Sequence, residues 1–221
     1  MLTGPMIIMW YTIAVFFIAI GAHVIVKKRK ANPSVISILA LMGAAVFIVS
    51  LWTIPVPAAV AGAGITSHAT GTGLASIIIG PFATVVISVV ALFFQVFLGH
   101  GGLTSLGANA VAMGVVGGFG GYATYWLARK IGASFWVSAG LAGFVGDILT
   151  YVTSTFQLAL NQSYTLHQSP NFLLPYFVFF LTEFSFIQVP IAIIEAVFTA
   201  ITVQYIVIHK PEILKWWHDK P

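Results

Sequence analysis

Two things are scarce in this chain: of its 221 residues none is cysteine, and only 6% are charged. Without cysteine there can be no disulfide and no thiolate metal site, and the redox compartment is left open. A soluble domain carries roughly 25% charged residues, so a surface built to face water is excluded. Motifs are missing too. The sequence has no G-x-S-x-G elbow, no H-E-x-x-H and no phosphate-binding glycine loop, so nothing in it binds ATP in a recognised way.

Hydrocarbon takes the place of charge. Hydrophobic residues make up 59% of the chain, and the mean hydropathy is +1.02. A bilayer span needs about 20 mainly apolar residues, so this length allows at most about eight. Lipid tolerates only helices or closed barrels, and the apolar runs are too long for barrel strands. Residues 1–221 therefore read as one all-α polytopic membrane domain. The first apolar run lacks a basic leader and an A-x-A cleavage site, so it reads as a span and not a signal peptide.

The net charge of +4 is no sign of nucleic-acid binding. Lys27, Lys28, Arg29 and Lys30 follow the first span, and Arg129, Lys130, Lys210, Lys215 and Lys220 stand at other segment ends. That is the pattern of cytoplasmic loops and a cytoplasmic C-terminal tail. The spans are expected from about Met6 to Val26 and from Pro33 to about Ile54, with the loop before residue 74 outside. Parity then constrains residues 74–99, which are broken by Gly80–Pro81. A single crossing there would strand Arg129 and Lys130 outside, so an extra short or re-entrant segment ending at Gly80–Pro81 is expected. About ten residues of helix reach only about 15 Å, so that segment belongs inside the bundle. Spans to Ala128 and from Ala133 to Asn161 follow. Residues 171–189, interrupted by Pro175 and Glu183, read as an outer-leaflet segment leading into a last span, Pro190 to Ile208. The sum is about seven membrane segments, N terminus out and C terminus in. Small residues four apart (Gly114/Gly118, Gly117/Gly121, Ala139/Gly143 and Ala142/Gly146) predict close helix contacts.

Few ionisable groups lie in or near the apolar core: His23, His68, His100, Asp147, Glu183 and Glu195. Such groups are costly in a membrane and are functional candidates. His68 stands out, inside the loop "GITSHATGTGL". A neutral imidazole is a common ligand of nickel, cobalt, zinc and copper. Thr66, Ser67 and Thr70 could orient it from behind, while Gly62, Gly64, Gly71 and Gly73 let the backbone close around a small ligand. An interfacial histidine in a solvated loop fits the same residues. His100, in "GHGGLTSLGAN", reads either as a brace of its turn or as a ligand, and Asn109 could cap or brace the outer loop. His23 reads as interfacial and Asp147 as a buried hydrogen-bonded strut or a proton carrier. Gln188 and Glu195 could close a polar network under the outer loop.

Four stretches carry a resemblance: "TSHATGTGLASIIIGP" (Thr66–Pro81), "GHGGLTSLGANAVAM" (Gly99–Met113), "GDILTYVTSTFQLAL" (Gly146–Leu160) and "QVPIAIIEA" (Gln188–Ala196). In this order, over nearly the whole chain, they resemble the CbiM/NikM proteins. These are the substrate-binding S components of energy-coupling factor (ECF) importers for cobalt and nickel. The resemblance implies an S-component bundle with an extra N-terminal helix in a prokaryotic plasma membrane. It implies Co2+ or Ni2+ as transported substrate, with no organic cofactor. It implies a membrane T component, two ATP-binding cassette ATPases and a small accessory membrane protein as partners, and no nucleic acid. It makes His68 the loop ligand of a nearly square-planar, four-nitrogen site near the outer face, with Ser67, Thr70 and Asn109 in support.

In that family the other three nitrogens come from a Met-His start. This chain opens "MLTGP", so Leu2 matches the family's later leucine and about seven residues are expected to be missing, through a late start or truncation. Met1 and Leu2 therefore inherit no ligand role. Two other readings compete: a vitamin-binding S component, and an intramembrane metal-dependent enzyme using Glu183, Asp147 and histidines. The second wants ligands clustered on facing helices, whereas the histidines here are scattered.

Overall fold

The computed structural model describes residues 2–56, 66–167 and 169–214; Met1, Gly62, Gly64, Lys215 and Lys220 lie outside the described residues. Helix α1 (Gly4–Ala31) opens with Pro5 in its first turn, where no amide hydrogen is needed, and closes on Lys28, Arg29 and Lys30. Then come α2 (Val35–Ser50), strand β1 (Thr53–Pro55), strand β2 (Thr66–His68) and α3 (Thr72–Phe97). A continuous span follows, made of α4 (Leu103–Asn109), a π-helical stretch (Ala110–Gly117) and α5 (Gly118–Lys130). Helices α6 (Phe135–Gln162) and α7 (Leu173–His209) complete the bundle. Five of these segments are long and apolar enough to cross a membrane, and α2 is a shorter apolar helix.

Helix α3 is bent back on itself. Gly80 has φ 71° and ψ 158°, outside the helical region and open to glycine without steric cost, and Pro81 begins the second half. A straight helix of 26 residues would separate its ends by about 39 Å. Yet Thr72 lies four residues beyond His68, and the far end of α3 returns to the same place. There His100 meets Thr53, the register partner of His68. The two halves must run in opposite senses. The expected break at Gly80–Pro81 is therefore present, and with the halves counted separately the described residues form seven helical segments.

The last helix differs from expectation. Residues 171–189 and 190–208 are not two pieces, because α7 runs unbroken through Pro190. Proline costs an interior helix one hydrogen bond, which packed neighbours in a membrane can accommodate. Pro175 falls in the first turn, where it costs nothing.

Adjacent spans are antiparallel from α5 through α7, and α1 runs parallel to α4 and α5: Tyr11 Oη donates to the Leu103 carbonyl (2.5 Å), and Phe17 meets Phe119 edge-on. Lys27–Lys30, Arg129, Lys130 and Lys210 consequently share one end of the bundle, called here the basic end. Arg129 lies 3.7 Å from the centre of the Phe135 ring and Lys130 4.8 Å from that of Trp126, so both stems lie along apolar surface.

The glycine ladders meet in one junction. A Cβ at Gly73 would stand 2.6 Å from the Ala142 carbonyl oxygen, one at Gly121 3.1 Å from Gly73 Cα, and one at Gly146 3.1 Å from the Gly117 carbonyl oxygen. Gly143 meets Thr199 and the Glu195 carbonyl in the same way, binding α6 to α7. Backbones of α3, α5 and α6 thus touch without side chains between them. Gly73→Val forces two backbones apart and should cost at least about 1–3 kcal/mol. The expected result is a clear fall in thermal unfolding temperature in detergent, whereas Gly4→Ala, with nothing within 4 Å, leaves it unchanged.

Candidate functional site

The segment from Thr66 to Gly71 enters the bundle without being helical. Strand β2 pairs antiparallel with β1 in the register Thr53↔His68, Ile54↔Ser67 and Pro55↔Thr66. Beyond His68 the chain descends between α6 and α7, where Thr70 and Gly71 are fully buried. Away from water every backbone donor and acceptor needs a partner. Side chains from the middle of α6 and α7 supply them.

Tyr151 clasps His68 itself. The His68 N–H donates to the Tyr151 hydroxyl oxygen (2.7 Å), and that hydroxyl donates to the His68 carbonyl (3.0 Å). Gln188 Nε2 donates to the same carbonyl (3.3 Å) and to Asp147 Oδ2, and Gln188 Oε1 accepts from Ser67 Oγ. One turn along the segment, Glu195 takes three donors: Thr70 N–H (2.7 Å), Gly71 N–H (2.9 Å) and Thr70 Oγ1 (3.1 Å). Gly143 permits this by letting α7 approach α6 at Glu195.

The clasp fixes one imidazole. His68 Nδ1 donates to the Ala69 carbonyl at 2.9 Å, because a carbonyl only accepts. Burial holds the ring below the usual histidine range, the Ala69 carbonyl opposes that shift, and nearby His100 adds to it. The ring is therefore neutral at pH 7, with its proton on Nδ1 and its lone pair on Nε2. Among the described residues nothing bonds to Nε2. The Tyr151 ring stands edge-on to the imidazole, centroids 6.1 Å apart, and limits its rotation.

Beside His68 opens a cavity of about 590 Å³. Its wall runs from Gly99–Gly102, Asn161 and Gln162, at the end opposite the basic residues, down to Met113 and Thr150. Leu2 lines it, and the Thr3 N–H donates to Asn161 Oδ1 (2.9 Å), so the start of the described chain is pinned to the rim. The space far exceeds a bare ion.

The four site residues read from the sequence fall in different places. His68 lines the cavity. Ser67 and Thr70 are fully buried and bond to Gln188 and Glu195, so they hold the loop backbone and do not touch the imidazole. Asn109 lines the cavity from α4, with its amide against the Gly101 turn. His23 is exposed near the basic end, away from this group. Tyr151 was not singled out in the sequence, although a signal exists. Asp147, Thr150, Tyr151, Ser154 and Thr155 repeat at helical spacing, a polar stripe in an otherwise apolar span. Among the described residues no three histidine, aspartate or glutamate side chains converge on one point.

Tyr151→Phe removes the hydroxyl alone. It strands the half-buried His68 N–H, at a cost of about 1 kcal/mol or more. Faster amide exchange across residues 66–71, with the helices still protected, is the expected result by hydrogen–deuterium exchange.

Known proteins can now be set beside this geometry. The chain is 38% identical over 206 residues to a "Cobalt transport protein CbiM" of Sorangium cellulosum, covering 93% of this chain and 88% of that protein. It is 35% identical over 214 residues to a "Putative cobalt transport protein CbiM 1" of Methanosarcina barkeri, covering 96% and 89%. A solved structure described as a "Truncated Transition metal Transporter" superposes with a TM-score of 0.75 at 26% identity, covering 94% of this chain and 96% of that one. Residues 1–213 match the family model CbiM, "Cobalt uptake substrate-specific transmembrane region". This multi-pass membrane protein belongs to the CbiM family of cobalt uptake transmembrane components.

Proposed function

We propose that the chain captures cobalt(II) or nickel(II) for an importer of the ECF class, with His68 Nε2 as the fixed donor. The observation that carries this reading is the free lone pair on a neutral, clamped imidazole in a cavity wall. Borderline divalent ions such as Ni2+ and Co2+ favour nitrogen donors in tetragonal sets. The cavity offers His68 room to be joined by donors that the helices do not supply. Polypeptide preceding Leu2 would start at the cavity rim, where Thr3 is anchored, and a Met-His start there brings a terminal amine, a backbone nitrogen and an imidazole.

On this reading the basic end faces the cytoplasm, in accord with the positive-inside rule, and the cavity faces outward. Ser67, Thr70 and Asn109 support the site through the loop and the Gly101 turn. The chain itself supplies capture, and ATP hydrolysis falls to two ATP-binding cassette partners acting through a membrane T component, with a small accessory membrane protein beside them.

Two measurements test it. In cells dependent on scarce cobalt or nickel, His68→Ala in a chain carrying a Met-His start should reduce uptake to background; undiminished uptake overturns the proposal. By calorimetry, a chain carrying a Met-His start ahead of Leu2 should bind either ion tightly, and exchanging that histidine for alanine should weaken binding by orders of magnitude. Equal affinities would refute the N-terminal donors and leave the His68 test standing by itself.

A further inference from the structure

A second imidazole in the same cavity wall is arranged as His68 is. His100 Nε2 faces Thr53 Oγ1 at 3.2 Å, and its Nδ1 is buried with no partner among the described residues. Thr53 lies directly opposite His68 in the β1–β2 ribbon, so their side chains leave the same face of it. His100 is close enough to His68 to act on it electrostatically, and both line the cavity. The turn that delivers His100 is stiffly specified: Gly99 and Gly101 on either side have φ of 79° and 67°, the left-handed region that side chains avoid.

The parallel is chemical. A histidine that ligates a metal commonly donates its other ring N–H to an oxygen acceptor, which fixes the tautomer and orients the ring. His68 does so through Nδ1 to the Ala69 carbonyl and keeps Nε2. His100 has the mirror arrangement in the tautomer that donates Nε2–H to Thr53 Oγ1, which leaves Nδ1 over. Bracing of the turn accounts for the Thr53 contact but leaves a buried nitrogen unsatisfied among the described residues, which native interiors seldom do.

We propose that His100 is a second imidazole donor to the transported divalent cation, joining His68 on the ion from the opposite side of the ribbon edge. The proposal deepens the capture reading, resting on a divalent cation entering this cavity, and it adds a ligand which that reading does not require. With a Met-His start in place His100 would stand outside the planar nitrogen set, as an axial or first-contact donor.

The test counts imidazoles on the metal. X-ray absorption of the purified, unextended chain loaded with Co2+ should show two imidazole rings, and this count needs no variant. A single ring overturns the proposal. His100→Ala should then drop the count to one and weaken Co2+ binding about tenfold or more, with its unfolding temperature recorded alongside. His100→Gln keeps a polar partner for Thr53 and should bind Co2+ as weakly as His100→Ala; recovery of wild-type affinity would make His100 a brace and sink the idea. The two readings fail separately. Loss of binding in His68→Ala with an unchanged ring count in His100→Ala removes only this inference, while retained binding in His68→Ala, lost in His100→Ala, removes His68 as the fixed donor and keeps His100.

Discussion

An extended strand inside an apolar helix bundle can exist only if its backbone is hydrogen-bonded by something other than itself. Each buried amide or carbonyl left without a partner costs about 1–3 kcal/mol, and residues 66–71 bring several into the space between α6 and α7. Tyr151, Gln188 and Glu195 meet that demand, and Asp147 holds Gln188 in turn. The polar residues in the middle of two membrane helices are thereby explained without giving any of them a direct part in holding cargo. Their consequence is functional all the same. A backbone clasped at His68 N–H, His68 C=O, Thr70 N–H and Gly71 N–H has almost no freedom left, so the imidazole it carries points one way.

The clasp and the glycine junction are parts of one construction. Gly73 follows the clasped segment by two residues and packs onto the backbones of Ala142 and Gly143. Gly143 in turn touches the Glu195 carbonyl, whose side chain holds Thr70 and Gly71. A displacement of α7 against α6 would therefore be felt at both ends of the loop within a few residues. The two-way bend at Gly80 adds a further coupling, because α3 leaves the site as a short half and returns beside it at His100.

Much of this was legible in the residues, for reasons that can be named. The break at Gly80–Pro81 was visible because basic residues obey a side rule and parity demanded an extra segment. His68 was visible because an imidazole among hydroxyls and glycines has no business in a purely apolar stretch. The role of its neighbours was not. Ser67 and Thr70 looked like groups that would orient the ring, but the Ser67 hydroxyl donates to Gln188 and the Thr70 hydroxyl to Glu195, both on α7. Pro190 looked like a boundary because proline breaks helices in water, yet in a packed bundle the lost hydrogen bond does not end α7. Tyr151 went unnoticed because a tyrosine in an apolar span is unremarkable until its hydroxyl is seen bridging the two backbone groups of another residue.

The same allocation of polar groups bears on selectivity. The Glu195 carboxylate is turned to the loop and that of Asp147 to Gln188, and no aspartate or glutamate is among the described residues lining the cavity. What remains in the wall is two imidazoles, amides, hydroxyls and aromatic faces. Calcium and magnesium need several oxygen ligands, carboxylates above all, and magnesium gives up its water reluctantly. A pocket whose neighbouring carboxylates are engaged by the loop and by Gln188 offers these abundant ions little, whereas a neutral nitrogen donor suits later first-row metals. On the proposed reading, the commitment of Glu195 to the Thr70 and Gly71 amides also keeps its charged oxygens away from the cargo, so that one solution to backbone desolvation would serve both to aim the donor and to exclude the commonest competing ions.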